Sequence, residues 1–350
     1  MKRRWGRALL LSALLLGALI AARPLWVGAA LFVDLDQARR ALAASDLERA
    51  LAWLQAAQER QRDNAEVQFL LARVYRRTTR YHPAKEHLER AAALGWPKKD
   101  LQRQQMMMLF QMGNVQEAEP YLTALLETGL DDELAEEVYE VLVTGYLAEY
   151  RVQDVEVCLE HWLAWQPQSI PARIWRANLL QSLRRRDEFQ AALRDILSID
   201  PTRVNERLAL AHELIQDTRV DEALAELEAC RSAAPDDGRV LLAMGLCHYK
   251  QGAVDHAQHE LEEAVSKGLD ARNEAEARIQ LGQIALDSAE YELAIGHFER
   301  AIELTPEAPV APYGLGTALS RLGDVERGKK YLRRSQELQD LDARLQDIGR

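Results

Sequence analysis

The sequence predicts an all-α solenoid of about nine helical hairpins, and three observations carry that reading. First, Ala275 to Ala308 reads as two amphipathic helices joined by a short turn. Helix A holds Ile279, Leu281, Gly282, Ile284 and Ala285; helix B holds Leu293, Ala294, Ile295, Phe298, Ala301 and Ile302, all at helical spacing. Pro306 ends helix B, because it lacks an N–H and disfavours helical geometry in the residue before it. Second, neither helix can bury its stripe alone, and the chain supplies neighbours of the same kind. Units start near 31, 65, 99, 136, 170, 204, 238, 275 and 309, at intervals of 34 residues with two of 37. Third, columns of residue size run through that register. In helix B a large column comprises Leu54, Leu88, Leu122, Leu159, Leu193, Leu227, Leu261, Phe298 and Leu332. Four residues earlier stand Ala50, Ala84, Ala118, Val155, Phe189, Ala223, Ala257, Ala294 and Gly328, mostly small. Helix A has its own mostly small column, Ala38, Ala72, Met106, Val143, Ala177, Ala211, Gly245, Gly282 and Gly316. Small residues let paired helices approach, and the large one fills the space between hairpins.

At the amino terminus, Met1 to Arg7 is basic and Ala8 to Ala22 is uncharged and mostly apolar. Arg23-Pro24 and a second apolar run, Leu25 to Val33, follow. Two readings fit. Residues 1–33 form a signal-anchor transmembrane helix, with Arg23 snorkelling near one interface. Alternatively they begin with a signal peptide cleaved near Val27-Gly28-Ala29 or Gly28-Ala29-Ala30, leaving a secreted protein. The anchor is favoured because the apolar run continues through Leu31-Phe32-Val33. Both place the basic end in the cytoplasm and the remainder outside it.

Nine repeats over 34–340 follow, then a charged cap or tail, 341–350. The closing proline recurs as Pro167, Pro201 and Pro235. Gly95-Trp96, Gly129-Leu130 and Gly268-Leu269 replace it elsewhere, a glycine suited to a left-handed cap and an apolar residue that folds back. The last two coincide with three-residue insertions, which predict longer turns. The fifth copy is the poorest, with Arg176 and Phe189 at atypical places, and an irregularity is expected there.

Composition excludes some functions. The net charge is −11, and after residue 33 the chain carries 39 basic and 55 acidic residues, which argues against a general nucleic-acid binder. Cys158, Cys230 and Cys247 form neither a metal-ligand pair nor a disulfide framework and read as small buried hydrophobes. His248, His256 and His259, with Asp255 and Glu260 nearby, are the best titratable cluster. They read as one packed and two solvated histidines, with His248 on a different surface, rather than as a metal site. Met106-Met107-Met108 point in three directions on a helix and cannot form one ligand patch. No Gly-rich phosphate loop, nucleophile elbow or paired metal-ligand motif appears, so no catalytic residue, metal or cofactor is assigned.

The eighth copy, with Leu281-Gly282, Ala294, Phe298, Ala301 and Pro306, resembles the tetratricopeptide-repeat family, and the likeness covers about residues 31 to 340. That resemblance implies a right-handed superhelix whose partners lie in a concave groove lined by helix A. Carried over, it places Ile174, Leu208, Leu242, Ile279 and Tyr313 in one groove column, with Ile215, Tyr249 and Leu286 in the next: an apolar track for a peptide. The early copies offer Arg39, Arg73, Arg76, Arg77 and Arg103 instead. These form either a basic groove for acidic peptides or head groups, or arginines paired with the chain's own acids. The carboxylate clamp of some chaperone-binding relatives needs Lys and Asn one turn apart; Leu35 and Arg39 stand there, so that function is not carried over. The expected function is a non-catalytic scaffold for protein or peptide partners, displayed outside the cytoplasm on a membrane. The alternatives are an assembly factor for an exported polysaccharide or lipopolysaccharide, and an enzyme with accessory repeats. The sequence names no partner and no oligomeric state.

Overall fold

Helix starts and stops set the architecture. In the computed structural model, which describes residues 28–348, polar side chains cap five of the helices that begin a repeat. Asn64, Asp131, Ser169, Asp237 and Asp270 each accept a bond from a backbone N–H two or three residues on. Every helix A ends in one type of turn. The backbone N–H three residues past the helix, or two past α17 (Val310–Leu322), donates to a carbonyl five residues back, as in Asp46 to Ala41, Arg151 to Tyr146 and Asp324 to Leu319, each 2.9 Å. The residue immediately before that donor is left-handed in each turn among the described residues: Ser45, Thr79, Gly113, Tyr150, Arg184, Thr218, Gly252, Ala289 and Gly323. Their spacing repeats the 34- and 37-residue intervals.

The result is eighteen helices and no strand among the described residues. They pair as α1 (28–43) with α2 (Leu47–Arg60), α3 (Ala65–Arg77) with α4 (Tyr81–Ala93), and α5 (Lys98–Gln111) with α6 (Val115–Leu126). Next come α7 (Asp132–Ala148) with α8 (Val152–Trp165), α9 (Ile170–Ser182) with α10 (Arg186–Ile199), and α11 (Val204–Gln216) with α12 (Val220–Ala233). The last pairs are α13 (Gly238–Lys250) with α14 (Val254–Lys267), α15 (Ala271–Asp287) with α16 (Tyr291–Leu304), and α17 (Val310–Leu322) with α18 (Val325–Ile348). Two compact units result, one ending at Pro167 and the other beginning at Gln168, immediately before the fifth hairpin. In that hairpin Arg176 is exposed and Phe189 is buried.

The size columns pack as their residues dictate. The large helix B residue is buried in eight hairpins and half-buried at Leu332. It sits against the small helix A residue of its own hairpin. A Cβ on Gly245 would stand 2.8 Å from Leu261, one on Gly282 2.9 Å from Phe298, and one on Gly316 2.8 Å from Leu332. Gly95, Gly129 and Gly268 all have positive φ, though Gly268 with ψ 120° is extended rather than helical, and Trp96 stacks back on Phe69 with ring centroids 4.9 Å apart.

One expectation is corrected. The three-residue insertions lengthen helices rather than turns: α7 and α15 have 17 residues, one turn more than the 13 of α3. Asp131 and Asp270 cap the added turns, so the extra residues enter the helix instead of a loop. Residues 341–348 continue α18, a single helix of 24 residues. Residues 1–27 of the expected anchor lie outside the described residues, and 28–33 begin α1. No helix among the described residues is long and apolar enough to cross a membrane.

Candidate functional site

Successive helix A elements α11, α13, α15 and α17 touch one another, which sets residues of equal register in rows. Of the eight apolar residues expected to line a groove in the second unit, six offer surface. Ile174, Leu208, Tyr249, Ile279 and Leu286 are half-buried, and Tyr313 is 58% exposed. Leu242 and Ile215 do not: each is 4% exposed. Leu242 belongs to a buried cluster with Ala277 and Leu281 of α15, and Ile215 to one with Val240 and Met244 of α13. The neighbouring hairpin covers both, so they are core. The Tyr249 hydroxyl donates to Asp287 Oδ2 at 3.3 Å, which fixes its ring beside the row.

The first unit differs. Each of its five expected groove arginines has a carboxylate partner. Arg39 pairs with Glu66 and Arg103 with Asp100. Arg73 Nη2 lies 2.7 Å from Glu137 and 3.2 Å from Glu133, and Arg77 Nη2 lies 3.2 Å from Glu140. Arg76 is buried and pairs with the equally buried Glu137. Its Nε and Nη1 donate to Gln104 and Gln111, each at 2.8 Å. Burial alone would push the Glu137 carboxyl up. The charges of Arg73 and Arg76 outweigh it and hold the carboxyl down at about 2. The basic groove therefore gives way to the paired reading: these arginines are neutralised inside the unit. The sequence reading did not identify Glu133, Glu137 and Glu140. Their i, i+4, i+7 spacing matches the stripe of Arg73, Arg76 and Arg77, but the two stripes stand two repeats apart.

The remaining candidates are structural. Cys158, Cys230 and Cys247 are buried free thiols, pushed up by burial to about 12, 11 and 12. His248 and His256 do not lie on separate surfaces, since their ring centroids are 5.7 Å apart across the seventh hairpin. His248 Nδ1 is 2.7 Å from Glu260 Oε2. Among the described residues no group of three His, Cys, Asp or Glu side chains is arranged to hold a metal ion.

No curated protein sequence matches the chain. Among solved structures it is similar to the type IV pilus biogenesis factor PilW, at 18% identity and a TM-score of 0.49 over 58% of this chain and 93% of that one. It is similar to YrrB, described as a TPR protein with an unusual peptide-binding site, at 20% identity and 0.40 over 52% and 92%. The Cut9–Hcn1 tetramer matches at 13% and 0.47 over 86% and 79%. Tetratricopeptide-repeat family profiles match residues 35–98 and 254–309, and a second such profile matches 214–279. The matched segments fall on hairpins in both units, and the chain is a member of the tetratricopeptide-repeat family.

Proposed function

We propose that the protein is a non-catalytic scaffold whose second unit binds a peptide segment of a protein partner along helix A of its hairpins. The observation that carries this is the row of partly exposed apolar side chains, Ile174, Leu208, Ile279 and Tyr313, flanked by Tyr249 and Leu286. Apolar side chains at one register on α9 and α11 and again on α15 and α17, with Leu242 of α13 buried between and Tyr249 beside the gap, suit the alternating side chains of an extended peptide or one face of a helix. A face preformed by the hairpin cores lets binding proceed with little ordering of the receptor.

The display of this scaffold on the outer side of a membrane, through residues 1–33, belongs to the same proposal. The basic-then-apolar order of residues 1–22 supports it, as does the exposure of Phe32 (67%) and Val33 (51%) at the start of α1. A photocrosslinker at Ile279 or Tyr313 of the full chain, in native membranes, should capture a protein. One at Leu293, an exposed residue of α16, should not. Ile279→Glu with Tyr313→Ala should abolish capture while the helical circular dichroism stays unchanged. Unchanged capture by that double variant sinks the assignment, and capture of saccharide in place of protein would favour the polysaccharide-assembly alternative.

A further inference from the structure

The insertion in the fourth repeat does more than lengthen a helix. It adds the turn that carries Glu133, placing Glu133, Glu137 and Glu140 in one stripe down α7. On α3 the residues Arg73, Arg76 and Arg77 form the complementary stripe at i, i+3, i+4. The stripes meet over α5. Every arginine of the set bonds to a glutamate of the set, so the second hairpin is tied to the fourth while the third lies between. Helix α5 joins from below: Gln104 and Gln111 accept from Arg76, and Gln111 Nε2 donates to Thr144 of α7 at 3.2 Å. Arg76 and Glu137 side chains are 2% and 4% exposed, which removes them from the screening that weakens surface pairs. The inserted turn of the eighth repeat is used differently. Its Glu274 pairs with Arg278 of its own helix and Arg300 of α16. Among the described residues the ion pairs of the second unit stay within a hairpin or reach the next one.

We propose that the α7 acid stripe is a latch. It locks α3, α5 and α7 into one block and, by occupying Arg73, Arg76 and Arg77, denies that face to acidic peptides. The latch makes the first unit a rigid part of the scaffold and leaves partner binding to the second. Its centre, Glu137, and its far end, Glu140, stand in the ordinary repeat register, and the inserted turn extends it by Glu133.

Hydrogen exchange on the full chain tests the locking. Glu137→Gln keeps the shape and removes the charge. It should speed amide exchange in α3, α5 and α7 together by about tenfold or more, with α11, α13 and α17 unchanged. The rim variant Glu133→Gln/Glu140→Gln should speed the same three helices by a few-fold, and it decides the matter if Glu137→Gln fails to fold. A change confined to α7, no change, or a rise spread evenly over both units overturns the latch. The exclusion is tested with a fluorescent hexaglutamate peptide. The intact chain should not bind it, whereas the rim variant should, with the affinity lost at high salt and on Arg73→Gln. Equal binding by the intact chain and the variant overturns the exclusion.

Discussion

Where the third and fourth hairpins of the first unit place Arg103 and Glu140, the second unit places Ile174, Leu208, Leu242, Ile279 and Tyr313 at the same register. Two turns further along helix A, Arg76 of the second hairpin corresponds to Ile215, Tyr249 and Leu286. The hairpins beneath are alike: one turn type, one buried large residue, one small residue facing it. Apart from Leu242 and Ile215, which the neighbouring hairpin buries, the difference lies in side chains that stand outside the large and small core columns. The core columns specify the fold, which frees the helix A face to become an internal ion-pair network in one unit and an apolar row in the other.

The largest effect expected from this contrast is at Glu137. Glu137→Ala leaves Arg76 buried beside no carboxylate, and should cost about 3–5 kcal/mol in denaturant unfolding of the first unit. Glu274→Ala, which removes a carboxylate from half-exposed arginines in the second unit, should cost about 1 kcal/mol or less. Equal costs would erase the distinction between the two faces.

Acid should separate the units in the same direction. The Glu137 carboxyl is held down from the ordinary 4.5 to about 2 in the folded chain. Its contribution is therefore fully present above about pH 4.5 and is lost as pH falls from there toward 2. The amount is roughly 3 kcal/mol. Proteolysis of residues 65–148 should accelerate over that window before the second unit is cut, and Glu137→Gln should abolish the pH step. An unchanged step in that variant would assign it to other carboxylates.

Smaller effects should be shared by the two units, because they touch the common hairpin. Gly145→Ala would put a Cβ 2.2 Å from the Phe110 ring, and Gly314→Ala one 2.4 Å from the Phe298 ring. Both rings are buried, so neither can swing clear. Each substitution should cost about 1–3 kcal/mol in thermal unfolding. A silent Gly145→Ala beside a costly Gly314→Ala would show that the third and fourth hairpins pack more loosely than the eighth and ninth.

These expectations separate what the sequence reveals from what it conceals. Register, hairpin count and buried columns are legible because burial repeats with the period of the hairpin, and nine copies average out local exceptions such as Arg176. The lengthening of α7 was legible in principle, since Asp131 followed by Asp132 and Glu133 is a helix start. Leu242 and Ile215 look like groove residues because register alone does not say how far the next hairpin leans over them. Leu242 lies beneath α15, whereas Ile279, at the same place one repeat on, keeps an open side. The latch was illegible for a different reason. Its charges pair across two repeats, and periodicity relates equivalent residues, whereas Arg76 and Glu137 occupy different places in their repeats.

The smallest predicted effect sharpens the comparison from the other side. The left-handed turn residue is glycine at only Gly113, Gly252 and Gly323, while Ser45, Thr79, Tyr150, Arg184, Thr218 and Ala289 adopt the same conformation with a Cβ. That conformation costs a non-glycine residue about 1–2 kcal/mol. Glycine relieves it but gives back part of the gain through the greater freedom of its unfolded chain. Each substitution to glycine should therefore stabilise its unit by roughly 0.5 kcal/mol. The side chains contribute little in return: Tyr150 is 90% exposed. Thr79→Gly and Tyr150→Gly should raise the denaturation midpoint of the first unit, and Thr218→Gly and Ala289→Gly that of the second, by comparable amounts. Because the turns are far apart, paired substitutions should add. If the first unit fails to respond, the latch rather than the turns limits its unfolding. In that event Tyr150→Gly should regain its effect in the Glu137→Gln background, where the ion-pair network no longer ties α3 to α7.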